Sequence, residues 1–185
     1  MNKVQIGILL MISLFTISCT TGLTDKETAK LNKLQYRVDS TIERLSSIDT
    51  AKSLASANHF FENLRFIQKE MKDTINPETA LFLDSYYSLR KSFNMFGEQY
   101  PLVLRELTTT KKQLSDLEHD ADNGLLAKGQ FEQYYHLESN NLILAEEKAN
   151  EVLYAIETIQ PLYDKMNPKV DSLLNSYKIK AAAKE

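Results

Sequence analysis

The sequence predicts an all-α protein, an elongated antiparallel three-helix bundle with coiled-coil-like packing. Only 5 glycines and 4 prolines occur in 185 residues, which indicates few turns and long elements. Apolar residues recur at steps of three and four along most of the chain, which is the period of one helix face. Breaks near 73–77 and 122–129 leave three long helices joined by short turns, so consecutive helices are expected to run antiparallel.

The first helix is expected from about 25 to 72. Thr24 and Glu27 have the spacing of a capping box, which predicts a helix start at this point. The apolar pattern is least regular over 47–58, where Lys52 interrupts it, so the weakest packing is expected there. The apolar positions of this helix are Leu31, Leu34, Val38, Ile42, Leu45, Ile48, Leu54, Ala55, Phe61, Leu64, Ile67 and Met71.

The second helix is expected over 77–122, with Asn76 as its N-cap and Pro77 in its first turn. It carries the most regular heptad repeat of the chain. Pro101 lies inside that repeat without shifting its phase, so a kink is expected rather than a break. The a and d positions are Phe82, Tyr86, Leu89, Phe93, Phe96, Tyr100, Val103, Leu107, Thr110, Leu114, Leu117 and Ala121.

The third helix is expected over about 128–178, after a turn in which Gly124 takes a left-handed conformation. Pro161 and Pro168 fall on its outward side, so bends are expected there. The whole bundle would cover 25–180, followed by a frayed tail at 181–185. The seam positions are Phe131, Tyr135, Glu138, Leu142, Ala145, Ala149, Val152, Ile156, Ile159, Tyr163, Met166, Val170, Leu173 and Tyr177.

The N-terminus has the pattern of a signal peptide over residues 1–18. Lys3 precedes an uncharged run of 14 residues, Val4 to Ile17, which is short for a membrane span of ~20 residues. Ser18 then leads into Cys19, the only cysteine of the chain.

This pattern resembles the precursors of bacterial lipoproteins over residues 1–19. Thr16 stands where leucine is commonest in the lipobox of that family. The resemblance implies that Cys19 is lipidated and becomes the first residue of the mature chain, with a short tether over 19–24. It also implies a lipid-anchored protein of the cell envelope. Because Thr20 rather than aspartate follows the cysteine, the resemblance favours the outer membrane in a Gram-negative bacterium.

Two other fates of the N-terminus stay open. Thr16 and Ser18 also fit an ordinary small-x-small cleavage site, which would release a soluble protein. That protein would carry a lone thiol in an oxidising compartment if the cysteine were retained. The apolar run would otherwise remain as an uncleaved anchor.

The composition excludes several functional classes. A net charge of −3 gives no reason to expect a nucleic-acid partner. A single cysteine excludes an intramolecular disulfide and a cysteine-based metal cluster. The sequence has no phosphate-binding glycine loop, nucleophile elbow or zinc motif, so neither an enzyme nor a cofactor is expected.

A weak metal-binding candidate lies around the second turn. Glu132 and His136 are four residues apart and share a helix face, and His119 and Asp122 lie just across the turn. The ordinary interpretation is that these are solvated polar residues at the end of the bundle.

Glu138 is a carboxylate at a seam position. The expected fold brings it near Lys111 and Arg37, with which it would form an ion pair that fixes the register of the helices. The alternative is a carboxylate with a raised pKa in a pocket.

Phe66 and Leu102 lie away from their apolar stripes and are candidates for a partner surface. The aromatic residues of the second helix are expected in the core, with a small-ligand pocket as the alternative.

The function predicted is therefore a non-catalytic spacer, adaptor or assembly partner with an unidentified protein partner. A ligand- or metal-binding periplasmic bundle and a soluble secreted coiled-coil oligomer are the alternatives.

Overall fold

The structure, a computed structural model, describes residues 22–71 and 75–182. It confirms an all-α protein, because these residues contain helices and no strand. The helices are α1 (Asp25–Ser46), α2 (Thr50–Glu70), α3 (Pro77–Tyr87), α4 (Arg90–Asp122) and α5 (Gln130–Ala182). Residues 183–185 of the expected tail lie outside the described part, and α5 continues past its expected end at 178.

The helix starts predicted from capping residues are confirmed. The Thr24 hydroxyl accepts a hydrogen bond from the Glu27 amide (3.3 Å), and the Glu27 carboxylate accepts one from the Thr24 amide (2.9 Å). At the start of α3, the side chain of Asn76 accepts from the Thr79 amide at 2.8 Å, and Pro77 occupies the first turn. These bonds satisfy amides that have no partner within the helix.

The first expected helix is divided in two, so the prediction of one helix over 25–72 is wrong. The break falls at 47–49, and Asp49 caps α2 by accepting from the Lys52 amide at 2.9 Å. The buried positions Leu45 and Ser53 are eight residues apart instead of the seven that a continuous heptad requires. The buried face of α2 is therefore shifted by one residue, and Leu54, expected inside, is 49% exposed.

The second expected helix is interrupted at Ser88 and Leu89. Leu89 remains 3% exposed, so the interruption does not change the phase of the seam. Near the start of α3, the observed seam differs from the predicted one at a single position. Leu83 is buried there, whereas Phe82, the predicted seam residue, is half-buried.

The three internal prolines lie within continuous helices, as expected. Pro101 is inside α4, and Pro161 and Pro168 are inside α5. All three are exposed. An outward-facing proline leaves the buried side of the helix unchanged, which explains why the heptad pattern continues across it.

The turn after α4 is closed by a Schellman motif. Gly124 has φ 65°, the left-handed conformation predicted for it. The Leu125 amide donates to the Asp120 carbonyl at 2.8 Å, and the Gly124 amide donates to the Ala121 carbonyl at 3.1 Å. The turn residues thus satisfy carbonyls at the end of α4.

All five helices contribute to one hydrophobic core. Nearly every predicted seam position of α4 and α5 is buried or half-buried, which confirms the heptads of both helices. The side chains with the least exposure are Tyr86, Phe60, Phe93, Phe96, Leu31, Leu34, Leu45, Leu107, Leu114, Leu142, Val38 and Val103.

Polar pairs connect the helices in a regular order. Along α1, α2 and α5 the partner numbers rise together, whereas the two pairs between α1 and α4 run in the opposite order. The pairs with α5 are Lys30–Glu132, Arg37–Glu146 and Lys52–Asp164, and those made by α4 are Gln35–Glu118, Asp39–Lys111 and Glu106–Lys148.

Candidate functional site

A buried polar cluster lies where α2, α3 and α5 meet, and we call it the Asn63 cluster. Its members come from different helices, so it connects parts of the chain that are far apart in sequence. They are His59, Asn63, Tyr86, Tyr163, Asn167 and Asp171.

The two buried amides of the Asn63 cluster are hydrogen-bonded to each other and to their neighbours. Asn63 Nδ2 donates to Asn167 Oδ1 at 3.1 Å and to Asp171 Oδ1 at 2.9 Å. The Tyr86 hydroxyl donates to the same Asn167 oxygen at 2.8 Å. Asn167 Nδ2 donates to Asp171 Oδ2 at 2.8 Å. These hydrogen bonds matter because a buried amide without a partner lowers the stability of the fold.

His59 forms the solvent edge of the Asn63 cluster. Its Nδ1 lies 3.0 Å from the Tyr163 hydroxyl, and its Nε2 lies 3.4 Å from Asp171 Oδ1. The imidazole is therefore held between a phenol and a carboxylate, with its side chain 45% exposed.

Aromatic rings pack beside the buried part of the Asn63 cluster. Phe60 packs against Tyr86 and Phe93, with both pairs of ring centroids 4.9 Å apart. Burial raises the pKa of Tyr86 to about 12 and also raises the pKa of Tyr163. Both phenols are therefore protonated near neutral pH and act as hydrogen-bond donors or acceptors, not as bases.

The aromatic segment of α3 and α4 belongs to the core. Tyr86, Phe93 and Phe96 are each at most 1% exposed, as the heptad predicts. Phe60 from α2 fills the space against two of these rings. The alternative of a small-ligand pocket at this segment is therefore not supported.

The Asn63 cluster is not predicted from the sequence. The apolar pattern of the first helix runs through Phe61 and Leu64, which leaves Asn63 off the expected seam. The one-residue shift at 47–49 rotates Asn63 inwards, and that shift has no clear signal apart from the irregular pattern that ends near residue 58.

Glu138 is buried as the heptad predicts, with 5% exposure. Its Oε2 is shielded from water and has no hydrogen-bond partner among the described residues. Burial raises the pKa of this carboxyl, and a hydrogen bond from Asn141 partly opposes the rise.

The prediction that Glu138 forms an ion pair with Lys111 or Arg37 is wrong. Lys111 Nζ lies 2.6 Å from Asp39 Oδ1. Arg37 forms a bidentate ion pair with Glu146, in which Nε donates to Oε1 at 3.0 Å and Nη2 donates to Oε2. Arg37 therefore pairs two turns further along α5 than Glu138, and the hydrogen bonds to Glu146 raise its pKa.

The residues of the weak metal candidate do not converge. Glu132 pairs with Lys30 at 2.5 Å and has His136 Nε2 at 3.8 Å. The side chain of His119 faces Asn123, and Asp122 Oδ1 accepts from the Leu23 amide at 3.4 Å. Within 22–71 and 75–182, no group of three histidine, cysteine or acidic side chains is close enough to hold a metal ion.

The two candidate partner-surface residues differ in their surroundings. Phe66 is half-buried against the core, and Lys178 Nζ lies 4.9 Å from the centre of its ring. Leu102 is 44% exposed.

Two open cavities lie along the outer groove between α4 and α5. One has a volume of about 380 Å³ and includes Arg105, Gln113 and Lys148 in its lining. The other, of about 290 Å³, lies nearer the turn at 123–129, and Glu138 is one of its lining residues. A pocket beside Glu138, the alternative interpretation of this residue, is therefore present, whereas the expected ion pair is not.

Comparisons with known proteins give no relative of this chain. No family model matches it, and no curated protein or solved structure is significantly similar. None of the helices in the described ranges is long and apolar enough to cross a membrane. Cys19 and the expected signal peptide over 1–18 lie outside those ranges.

Proposed function

We propose that this protein is a lipid-anchored lipoprotein of the bacterial cell envelope that acts without catalysis as a spacer, adaptor or assembly partner. The observation that carries the proposal is Cys19, which follows Lys3, the uncharged run of 14 residues and Ser18 in that order. A diacylated or triacylated cysteine supplies more than one chain and thus a stable membrane attachment.

The start of α1 supports a short distance between the anchor and the folded part. The capping box at Thr24 begins α1 at Asp25, six residues after Cys19. Six extended residues span at most about 20 Å. The Leu23 amide also donates to Asp122, so the start of α1 lies beside the end of α4.

We further infer that the five helices form an elongated antiparallel three-helix bundle. In this arrangement α1 and α2 make the first stretch, α3 and α4 the second, and α5 the third. The order of the polar pairs supports it, because the first stretch pairs with α5 in rising order and α1 pairs with α4 in falling order. The 53 residues of α5 would give the bundle a length of about 80 Å.

The Asn63 cluster supports a structural role. Its amides, phenols and carboxylate bond to one another, and both tyrosine pKa values are raised. A cluster of this kind links three helices in a fixed register, because any sliding would leave buried polar atoms unpaired.

Mass spectrometry of the mature N-terminus tests the anchor. Expressed in a bacterium, the chain is expected to lose residues 1–18 and to carry an acyl-modified Cys19. Cys19→Ala is expected to abolish acylation, and Thr16→Leu, which brings the site closer to the family pattern, is expected to be processed at least as well. An unacylated mature chain would contradict the proposal, and cleavage after Ser18 without acylation would favour the soluble secreted oligomer.

A ligand-binding bundle is the second candidate, favoured by the cavity beside Glu138.

Membrane fractionation tests the proposed localisation. From Thr20, we expect the mature protein in the outer-membrane fraction of a Gram-negative host, and recovery in the inner membrane would contradict that assignment alone.

A further inference from the structure

The cavity next to the turn at 123–129 has an acidic lining. Asp116 and Asp120 from α4 and Glu138 from α5 contribute three carboxyl groups, and no lysine or arginine is among the residues that line it. Leu117, Leu137 and Tyr134 supply apolar surface beside them. The cavity therefore combines negative charge with apolar walls.

Among the described residues, one ion pair involves these three carboxyl groups, and it lies at the protein surface. Lys112 Nζ lies 2.5 Å from Asp116 Oδ2, and both side chains are more than half exposed. An exposed pair of this kind contributes little and exchanges readily with other cations. It leaves the inner part of the cavity without a positive charge.

Glu138 is an independent observation that points to a missing partner. It is 95% buried, since its exposure is 5%, and it lines the cavity while its Oε2 has no hydrogen-bond partner. Buried carboxylates are normally paired or hydrogen-bonded at both oxygens. A cation bound beside Glu138 would compensate the charge of this carboxylate when it is ionised.

We propose that this cavity binds an alkylammonium group, with its cation next to Glu138 and Asp120 and its alkyl chain against Leu117 and Leu137. Tyr134 offers the cation an aromatic ring as well. The volume of about 290 Å³ is at the lower end for ligand sites, which suits one side chain or a small amine. The source of the ammonium is a lysine of a partner protein or a free amine. The site is independent of the lipid anchor.

Methyl NMR of the leucine-labelled full chain in detergent tests the site. The probes are Nα-acetyl-lysine methylamide and n-butylammonium, compared with their neutral counterparts, the Nε-acetylated lysine derivative and n-butanol. We expect saturable shifts of the Leu117, Leu126 and Leu137 methyl signals with the charged probes only. Tighter binding of the blocked lysine would identify a protein side chain as the source, and tighter binding of butylammonium would identify a free amine.

Substitutions connect the binding to the carboxyl groups. Glu138→Gln and Asp120→Asn are each expected to weaken binding at least tenfold. Glu147→Gln, which removes an exposed carboxyl group from the same helix outside the cavity, is expected to leave binding unchanged. Equal binding of charged and neutral probes, no saturable shift, or equal loss in all three variants would overturn the proposal.

Discussion

The side-chain amide of Asn167 forms hydrogen bonds with residues of three helices, α2, α3 and α5. Its Oδ1 accepts from Asn63 and Tyr86, and its Nδ2 donates to Asp171. Removing the side chain leaves two donors and a carboxylate oxygen without this partner. The residue is thus a link between α2, α3 and α5.

Asn167→Ala is therefore expected to lower the free energy of unfolding by about 2–4 kcal/mol, since each buried group left unpaired costs about 1–3 kcal/mol. Urea unfolding followed by circular dichroism measures the change. Asn175→Ala, at an exposed position of the same helix, is the matched control and is expected to change stability by less than about 0.5 kcal/mol. Equal effects of both substitutions would show that the cluster does not hold the helices together.

Because the pKa of Glu138 is raised, we can predict the direction in which its contribution to stability changes with pH. A carboxyl whose pKa is raised in the folded state stabilises the protein below its ordinary value of 4.5 and loses that contribution as the pH rises through the folded-state value. Glu138→Leu is therefore expected to add about 1–3 kcal/mol to stability at pH 7, the cost of an unsatisfied buried polar group. At pH 4 the gain should be smaller.

Urea unfolding of the original chain and of Glu138→Leu at pH 4 and pH 7, without added amines, measures this difference. All other titrating groups are common to the two proteins, so their effects cancel. A gain that does not change with pH would contradict the burial of an ionisable group at this position.

The break between α1 and α2 acts at the scale of an element. Leu45 and Ser53 are both buried but eight residues apart, so the break absorbs one residue more than a continuous heptad contains. As a result Lys52 faces outwards and pairs with Asp164 at 2.8 Å, instead of entering the seam.

Deleting Ser47 is expected to preserve the fold. The deletion brings Leu45 and Ser53 to a spacing of seven, so α1 and α2 can join as one helix with the same buried residues. Helical content by circular dichroism is expected to stay the same or rise, with the melting temperature kept. Deletion of the exposed Glu151, which lies inside the continuous α5, is expected to lower the melting temperature strongly because it rotates half of that helix by about 100°. The opposite ranking would contradict the phase shift.

The heptads explain which elements the sequence predicts well. In α4 and α5 the apolar residues are so regular that the buried face follows from their spacing, even across Pro101 and Pro161. The first stretch is predicted less well, because small and polar residues such as Ser53 and Asn63 occupy buried positions in α2. A pattern based on hydrophobicity cannot find them.

The candidate sites are likewise predicted only in part. The burial of Glu138 is predicted from the seam of its own helix. The partners of Arg37 and Lys111 depend on how far each helix is displaced along its neighbour, and the break at 47–49 and the turn at 123–129 set that displacement. Sequence spacing within one helix does not contain this information.

At the scale of the whole molecule, the proposed bundle is a rod. Its length of about 80 Å from α5 predicts a radius of gyration of about 23–25 Å. A compact domain of the same size would have a value of about 15 Å. Small-angle X-ray scattering of the chain from Gly22 onwards distinguishes them, and a value near 15 Å would contradict the bundle.

The orientation of the rod follows from the proposed anchor and the path of the chain. The start of α1 lies beside Asp122, which places the turn at 123–129 at the anchored end. The turn that begins α3 at Asn76 would then lie at the far end, together with the C-terminal part of α5.

Fluorescence quenching by lipids with nitroxide head groups tests the anchor and the rod together. Labels are attached to Asn123→Cys and Asn76→Cys variants of the mature protein, whose Cys19 is blocked by acylation, in vesicles. We expect strong quenching of the label at position 123 and almost none at position 76. Equal quenching of the two labels, or none for either, would contradict an upright helical rod anchored at Cys19.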